Sequence, residues 1–505
     1  MNIKTIIKQF LGLACMGFLL LLANCQPQDE IITHSPEKSL RFSEDTILFD
    51  TVFTQMRTAT RRMKVYNPNK NAVVISSVQI AEGNASPYSI TVNGQKGGKV
   101  VNDIEIKGGD SILVLVEANV SATAENSPFI IENTLQFVLE NQTQEVKLLA
   151  WGQNATYYRY TQNDNGFLYY EIADGTHLTA TKPTVLYNHL YVPKGCTLTV
   201  DAGAIVHCFK SVNIFVEGTI LLLGTANQPV TFTGTRLEVA YKNQPDQWGA
   251  IVLLENALGV IDHAILHNGL HGVQVNLPTD SLRATLQISN TEIRNMSGSG
   301  VWSFGGAVFA WNNEITDCAQ YLFAGLMGGH YELYHNTLGF SNNISFQRKT
   351  PAVGFNDFYK DEASGVLYTQ TNYPTVKLFN NIISGNQAEE LIFGSYQSNI
   401  LPNSNVHTEH NVIRSKRNNQ TQTFDTNGNF LIEKSYSFRN AKKYNFGIDS
   451  LETIVGKPRL AYQGGEQLNQ IPVLDVNLRT LLQTDKAGNA RPLDHPDIGA
   501  YQYKD

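Results

Sequence analysis

His330, Glu332 and Tyr334 stand two residues apart in the run Gly328-Gly-His-Tyr-Glu-Leu-Tyr-His335. Period-two alternation sends all three to one side of an extended strand. An imidazole, a carboxylate and a phenol on one face could move protons or grip a sugar, so these three are the candidate catalytic residues. One strand fixes no distances, and ordinary solvent-facing residues show the same pattern; that plainer reading carries more weight. Trp302, Trp311 and Tyr321 are the candidate ligand-binding residues, because aromatic rings stack on the apolar C–H faces of sugars. The competing role for each is to cover the core.

Of the five cysteines, Cys15 falls in an N-terminal leader and Cys25 stands at its end, which leaves Cys196, Cys208 and Cys318. An odd number excludes a complete disulfide framework. Cys208 and Cys318 sit among apolar residues and read as small core hydrophobes. No CxxC or HxxxH spacing supports a metal site, so no metal and no other cofactor is expected. The 505 residues carry a net charge of −7 without a basic block, and about −9 once Lys4 and Lys8 leave with the leader. A nucleic-acid groove needs a concentrated cationic face, so nucleic acid is excluded as a partner. Charged residues make up only 16%, and 39 glycines point to turn-rich β structure.

What must position the candidates is a repeat. Asp262-His-Ala-Ile265, Asn290-Thr-Glu-Ile293, Asn312-Asn-Glu-Ile315, His335-Asn-Thr-Leu338, Asn380-Asn-Ile-Ile383 and His410-Asn-Val-Ile413 share a polar first residue and a branched apolar fourth. Their first residues are 28, 22, 23, 45 and 30 apart, which predicts a solenoid with a unit of about 22 residues. The step of 45 reads as two units, with Phe355-Asn-Asp-Phe358 as the missing rung and residues 360–373 as an excursion. The positions two and four places before each first residue are mostly apolar, so alternation turns that polar residue inward, His335 included. Asparagine suits an inward bend because it tolerates left-handed backbone and its amide can bond the amide one coil away. Earlier alternating stretches, 192–206, 212–224 and 229–234, read as further rungs, and residues 414–445 read mostly as loop. Residues 41–149 instead show short strands 10 to 20 residues apart with turn residues between them, the pattern of a β-sandwich.

The first 24 residues pair a cationic start, Lys4 and Lys8, with an apolar run from Phe10 to Leu22 too short for a membrane span. The run ends in Leu22-Ala-Asn-Cys25, which resembles a bacterial lipobox, although Asn24 departs from the usual small residue. That resemblance implies cleavage before Cys25 and its lipidation. Asp29-Glu30 resembles the surface-export signal of Bacteroidota lipoproteins, and residues 25–40 read as a polar tether. Residues 41–150 resemble the immunoglobulin-like modules that precede Bacteroidota β-helices. Residues 157–505, with their asparagine phrase, resemble right-handed parallel β-helices with an internal asparagine ladder, in which Asp262, His335 and His410 would be substitutes. Asp485, Gly488, Arg491-Pro492 and Asp497-Ile-Gly-Ala-Tyr501 resemble the closing segment of such proteins. The expected fold is therefore all-β: an N-terminal immunoglobulin-like β-sandwich followed by a right-handed parallel β-helix.

Enzymes of that fold are mostly polysaccharide lyases and glycoside hydrolases that work in a groove along an outer sheet. A hydrolase needs two carboxylates a few ångströms apart, and the paired Asp motifs of the polygalacturonase-like family are absent here. A lyase needs a base and a means of neutralising a substrate carboxylate, often Ca²⁺; Asp262 and Asp317 do not form a calcium box. The resemblance thus implies a cell-surface protein held in the outer membrane by its lipid anchor. Its expected partner is a polysaccharide or an outer-membrane protein complex, and binding is non-catalytic. A polysaccharide lyase or glycoside hydrolase is the alternative, and a structural or adhesive stalk a second one.

Overall fold

The computed structural model describes residues 31–34, 36–124, 128–341, 347–398, 401–416, 428–448, 461–471 and 476–503. The leader, Cys25 and the export-signal acids lie outside the described residues. The chain divides into two compact units, residues 1–124 with 128–153, and residues 125–127 with 154–505.

In the N-terminal unit, alternating strands build two sheets. Thr46–Phe53, Ala72–Ile80, Val100–Ile106, Phe129–Val138 and Thr143–Gln153 form one, with Ile32–Thr33 on Ala72–Val73. Arg41–Phe42, Arg61–Tyr66, Tyr88–Val92, Gln95–Gly98 and Ser111–Ala118 form the other. Every second residue turns inward, and Phe49, Leu135 and Phe137 of the first sheet share one core with Met63, Val65 and Val116 of the second. The end of the expected tether belongs to this unit: Leu40 is buried, and its N–H donates to Gln144 Oε1 at 2.8 Å.

The second unit is a parallel β-helix. From Thr176–Leu178 to Val412–Arg414 its strands visit three sheets, of nine, eleven and ten strands, in rotation, broken only by an inserted hairpin. One coil runs Thr285–Ser289, Glu292–Met296 and Val301–Phe304; the next runs Ala307–Trp311, Glu314–Cys318 and Phe323–Leu326. Register stacks like on like through the interior: Ile288, Ala310, Leu333 and Leu378 in the nine-stranded sheet, and Ile293, Ile315, Leu338 and Ile383 in the eleven-stranded one. Each such side chain loses essentially all contact with water, and burial of one Leu or Ile is worth about 1.5–3 kcal/mol. Cys208 and Cys318 belong to this core.

The corner between the nine- and eleven-stranded sheets accounts for the repeated phrase and corrects the expected orientation. Asn290, Asn312, His335, Asn380 and His410 all have positive φ, between 50° and 58°. A left-handed residue interrupts period-two alternation, so the following side chain enters the core instead. The interior ladder is accordingly Thr291, Asn313, Asn336, Asn381, Asn411 and Asn429. From Asn313 to Asn411, each Nδ2 donates at 2.9 Å to Oδ1 of the asparagine one coil on. Each Nδ2 also reaches a main-chain carbonyl, and each Oδ1 from Asn313 onward accepts a main-chain N–H as well. Asp262 is displaced by one place: it pairs with Ser289, and His263 takes the corner with φ 48°. The step of 45 residues is one coil rather than two. Asn336 bonds directly to Asn381, and a hairpin, Phe358–Lys360 with Leu367–Thr369, takes up part of the surplus. Part of the stretch read as loop is also ordered, since Phe430–Ile432 extends the eleven-stranded sheet and Phe438–Asn440 pairs with Asn445–Ile448.

The outward corner row is covered by the chain's own C-terminal segment. Asn312 Nδ2 donates to Thr484 O at 2.9 Å, and Arg491 Nη2 donates to Asn312 Oδ1 at 2.7 Å. His335 Nδ1 lies 3.2 Å from Asp497 O, and Asn380 Oδ1 accepts from Glu466 N at 2.6 Å. The residues recognised as a closing segment build this strap. Asp485 Oδ1 accepts the N–H groups of Ala487 and Asn489, and Asp497 accepts those of Gln463 and Tyr503. Gly499 has φ 97°, and its missing Cβ would lie 2.8 Å from Ile382 Cδ1, so only glycine brings the strap this close.

Candidate functional site

His330, Glu332 and Tyr334 do share the outer side of the nine-stranded sheet, and they touch. His330 Nε2 lies 2.8 Å from Glu332 Oε1, and the Tyr334 hydroxyl donates to Glu332 Oε2 at 2.6 Å. Lys377, brought opposite Glu332 by the register of the next coil, donates to Oε1 at 2.9 Å. Burial raises the pKa of Glu332, but His330, Tyr334 and Lys377 outweigh it and hold the carboxyl down to about 2. Burial and the same hydrogen bond push the Tyr334 phenol far up. Leu468, Ile471, Leu478 and Leu482 roof Tyr334 and Phe379, with Trp311 at the edge. Glu332 is closed off, its side chain 1% exposed against 31% for His330. Glu332 is therefore the buried centre of a polar hub, committed to His330, Tyr334 and Lys377 at once.

The eleven-stranded sheet carries a carboxylate pair that no Asp-Asp motif signals. Register sets Glu292 beside Glu314 on adjacent coils. Its trace in the sequence is the third place of two consecutive phrases, Asn290-Thr-Glu and Asn312-Asn-Glu. His267 Nε2 lies 2.9 Å and Arg294 Nη1 2.8 Å from Glu292 Oε1. Burial acts on both acids, yet His267 and Arg294 take Glu292 down to about 2, whereas burial beside the Glu292 charge takes Glu314 up to about 7. A pair divided in this way is the pattern of acid–base chemistry. Here the strap occupies it: the Tyr501 hydroxyl donates to Glu314 Oε2 at 2.5 Å, and Glu314 is 2% exposed.

Trp302 and Tyr321 pack against one apolar cluster, Phe304, Ala324, Leu326 and Met327, on the ten-stranded sheet, whereas Trp311 lies on a different sheet. Their outward row reads Gln274, Trp302, Ala324, Gly354. After Trp302 the row falls to small side chains. A Cβ on Gly354 would lie 2.9 Å from the Tyr321 ring, so glycine lets that ring lie across the sheet. The inserted hairpin adds Tyr359, edge-on to Trp302 at 5.7 Å and to Phe304 at 4.9 Å, and Tyr368 stacked on Tyr359 at 6.1 Å. Behind Trp302, His271 packs at 4.5 Å; burial lowers its imidazole to about 4, so it is neutral at ordinary pH. Asp357 fixes the neighbouring loop by accepting from Ser395 Oγ and Tyr396 N, both at 2.7 Å, and this holds Tyr396 outward at 61% exposure beside Phe358. Trp302, Tyr321, Tyr359 and Tyr368 are half-buried, with rings anchored from below. The hairpin aromatics carry no repeat signature, which is why the sequence points to only two members of the cluster. Among the described residues, no three His, Cys, Asp or Glu side chains converge as a metal site requires.

No family model and no curated protein matches this chain. Among solved structures, one similarity is to a family 123 glycoside hydrolase from Clostridium perfringens, described in connection with glycolipid glycan hydrolysis. It extends over 24% of this chain and 30% of that one at 6% identity, with a TM-score of 0.17. The chain thus spans less than a third of that enzyme's length, and a likeness of this size carries no argument about either fold or activity.

Proposed function

We propose that this is a lipid-anchored cell-surface β-helix protein that binds glycan without cleaving it, through the cluster of Trp302, Tyr321, Tyr359 and Tyr368. The supporting observation is that cluster: half-exposed rings, held rigid by Phe304 and Ala324 beneath them, on one outer sheet. Rigid aromatic surface loses little conformational freedom on binding and presents the face that sugar C–H groups seek. The acids that touch bases, Glu332 and Glu292, are held by structural donors and partly or wholly roofed, which favours binding over chemistry. Trp302→Ala is the test, read by affinity electrophoresis against a panel of polysaccharides. Retardation of the parent, reduced at least about tenfold in the variant with an unchanged melting curve, is expected if the ring contributes about 1.5 kcal/mol. No retardation of the parent by any polysaccharide overturns the reading in favour of docking or an adhesive stalk.

A hydrolytic reading rests on one observation, the Glu292/Glu314 pair. It requires the strap to leave, and release of reducing sugar that disappears in Glu314→Gln would establish it.

A further inference from the structure

The N-terminal unit holds a half-open pocket of about 320 Å³ lined by three cations, Arg57, Lys96 and Lys99, and a single acid, Glu117. That volume is at the small end of ligand pockets, about 300–1,000 Å³, and suits one sugar-sized group. The cations come from two parts of the chain. Arg57 is held by an isolated bridge to Asn119; Lys96 sits on the hairpin strand Gln95–Gly98; and Lys99 follows that strand. The opposite wall is set by register, Ser89 facing Glu117 across the Tyr88–Val92 and Ser111–Ala118 pair.

Among the described residues none of these three cations forms an ion pair. Lys99 Nζ instead donates to Ser86 O at 2.7 Å and to Tyr88 O. An ammonium has three N–H donors, so two carbonyls pin Lys99 in the wall and leave the third donor free. Burial holds its ammonium below the usual lysine value, as expected for a charge that lacks a counter-ion and full hydration. Glu117 is engaged by Thr60 Oγ1 at 2.9 Å, which turns part of its charge away from the pocket. Three positive groups against one partly engaged carboxylate leave an excess of positive charge in a concave polar site, within a protein whose net charge is −7. The guanidinium fork and two point-charge ammoniums match the oxygens of a phosphate or carboxylate.

We propose that this pocket binds the anionic group of a small polar ligand, a sugar phosphate or a sugar acid, independently of the aromatic cluster on the β-helix. The two sources share the anion and differ in its charge and shape. The test is isothermal titration of the full chain at low ionic strength with inorganic phosphate, glucose 6-phosphate, glucuronate and, as the neutral control, glucose. Saturable heat with at least one anion and none with glucose is expected, and the strongest anion tells phosphate from carboxylate. The double variant Arg57→Gln/Lys96→Gln should weaken binding at least about tenfold, the loss of one charge-assisted contact. Glu117→Gln should strengthen it about two- to fivefold by removing a like charge. Opposite responses of two variants with unchanged melting curves cannot come from misfolding. No saturable heat with any anion, or equal affinity in all three proteins, overturns the proposal.

Discussion

Asn336→Ala tests the interior ladder. Asn336 Oδ1 accepts the main-chain N–H of Asn313 at 3.0 Å and its Nδ2 at 2.9 Å, while Asn336 Nδ2 donates to Ala310 O and to Asn381 Oδ1, each at 2.9 Å. Asn313 Nδ2 keeps Ile288 O, and Asn381 Oδ1 keeps the N–H of residue 336. The Asn313 N–H loses its acceptor inside a fully buried site, and a buried orphan of this kind costs about 1–3 kcal/mol. The void left by the amide adds about 1 kcal/mol. A loss of about 3 kcal/mol follows, which lowers the midpoint of a unit this large by about 4 °C at an unfolding entropy of about 0.7 kcal/mol/K. Urea titration followed by circular dichroism reads the free energy, and calorimetry reads the midpoint. Asn336→Asp keeps the acceptor and loses the donors, so it should also destabilise. If Asn336→Ala lost less than about 0.5 kcal/mol, the ladder would be a by-product of the coil rather than one of its supports, and the reasoning would fail.

The remaining predictions are these. Glu332 has a depressed folded value, so its stabilisation is full above about pH 4.5 and is lost as pH falls toward 2; Glu332→Gln should melt lower than the parent at pH 7 by several degrees, and the gap should narrow at pH 3 in calorimetric scans. Glu314 has a raised folded value, so the fold is favoured below about pH 4.5 and loses stability as pH rises through about 7. Glu314→Gln, which can still accept from Tyr501, should flatten that decline, and an identical pH profile in parent and variant would count against the assignment. Gly499→Ala should lift the strap, because φ 97° and a 2.8 Å approach to Ile382 Cδ1 leave no room for a methyl group; limited proteolysis should then cut within residues 461–503 at least about tenfold faster, the consequence of about 1.4 kcal/mol of strain. Cys25→Ala should move the protein from the membrane fraction to the soluble fraction if Cys25 is the lipidated residue.

Much of the scaffold is legible in one dimension because its causes are local. Gly, Asn and alternating apolar residues specify short strands and their bends, and the recurring phrase marks one corner of successive coils from residue 262 to residue 413. The closing segment is legible too, since Asp485 and Asp497 organise turns within a few residues of themselves. Orientation at the corner is not. The inward residue is the second of each phrase because the first is left-handed, and that backbone state reverses the alternation that period-two reasoning assumes. Spacing misleads at 335–380 for a related reason: an insertion between strands lengthens a coil without adding one.

The candidate sites divide in the same way. The sequence alone determines that His330, Glu332 and Tyr334 share a strand face, and that Trp302 and Tyr321 sit close enough along the chain for neighbouring coils to bring them together. Only the tertiary structure decides what that proximity means. Lys377, 45 residues away, completes the Glu332 hub, and Tyr501, 187 residues away, caps Glu314. An inserted hairpin supplies Tyr359 and Tyr368 to the aromatic cluster. The physical reason is that a solenoid fixes contacts within a coil and to the next coil by strand register, which a repeat reveals. What covers its outer faces comes from insertions and from the C-terminal strap, segments without a period, whose positions follow from long-range packing and hydrogen bonds alone.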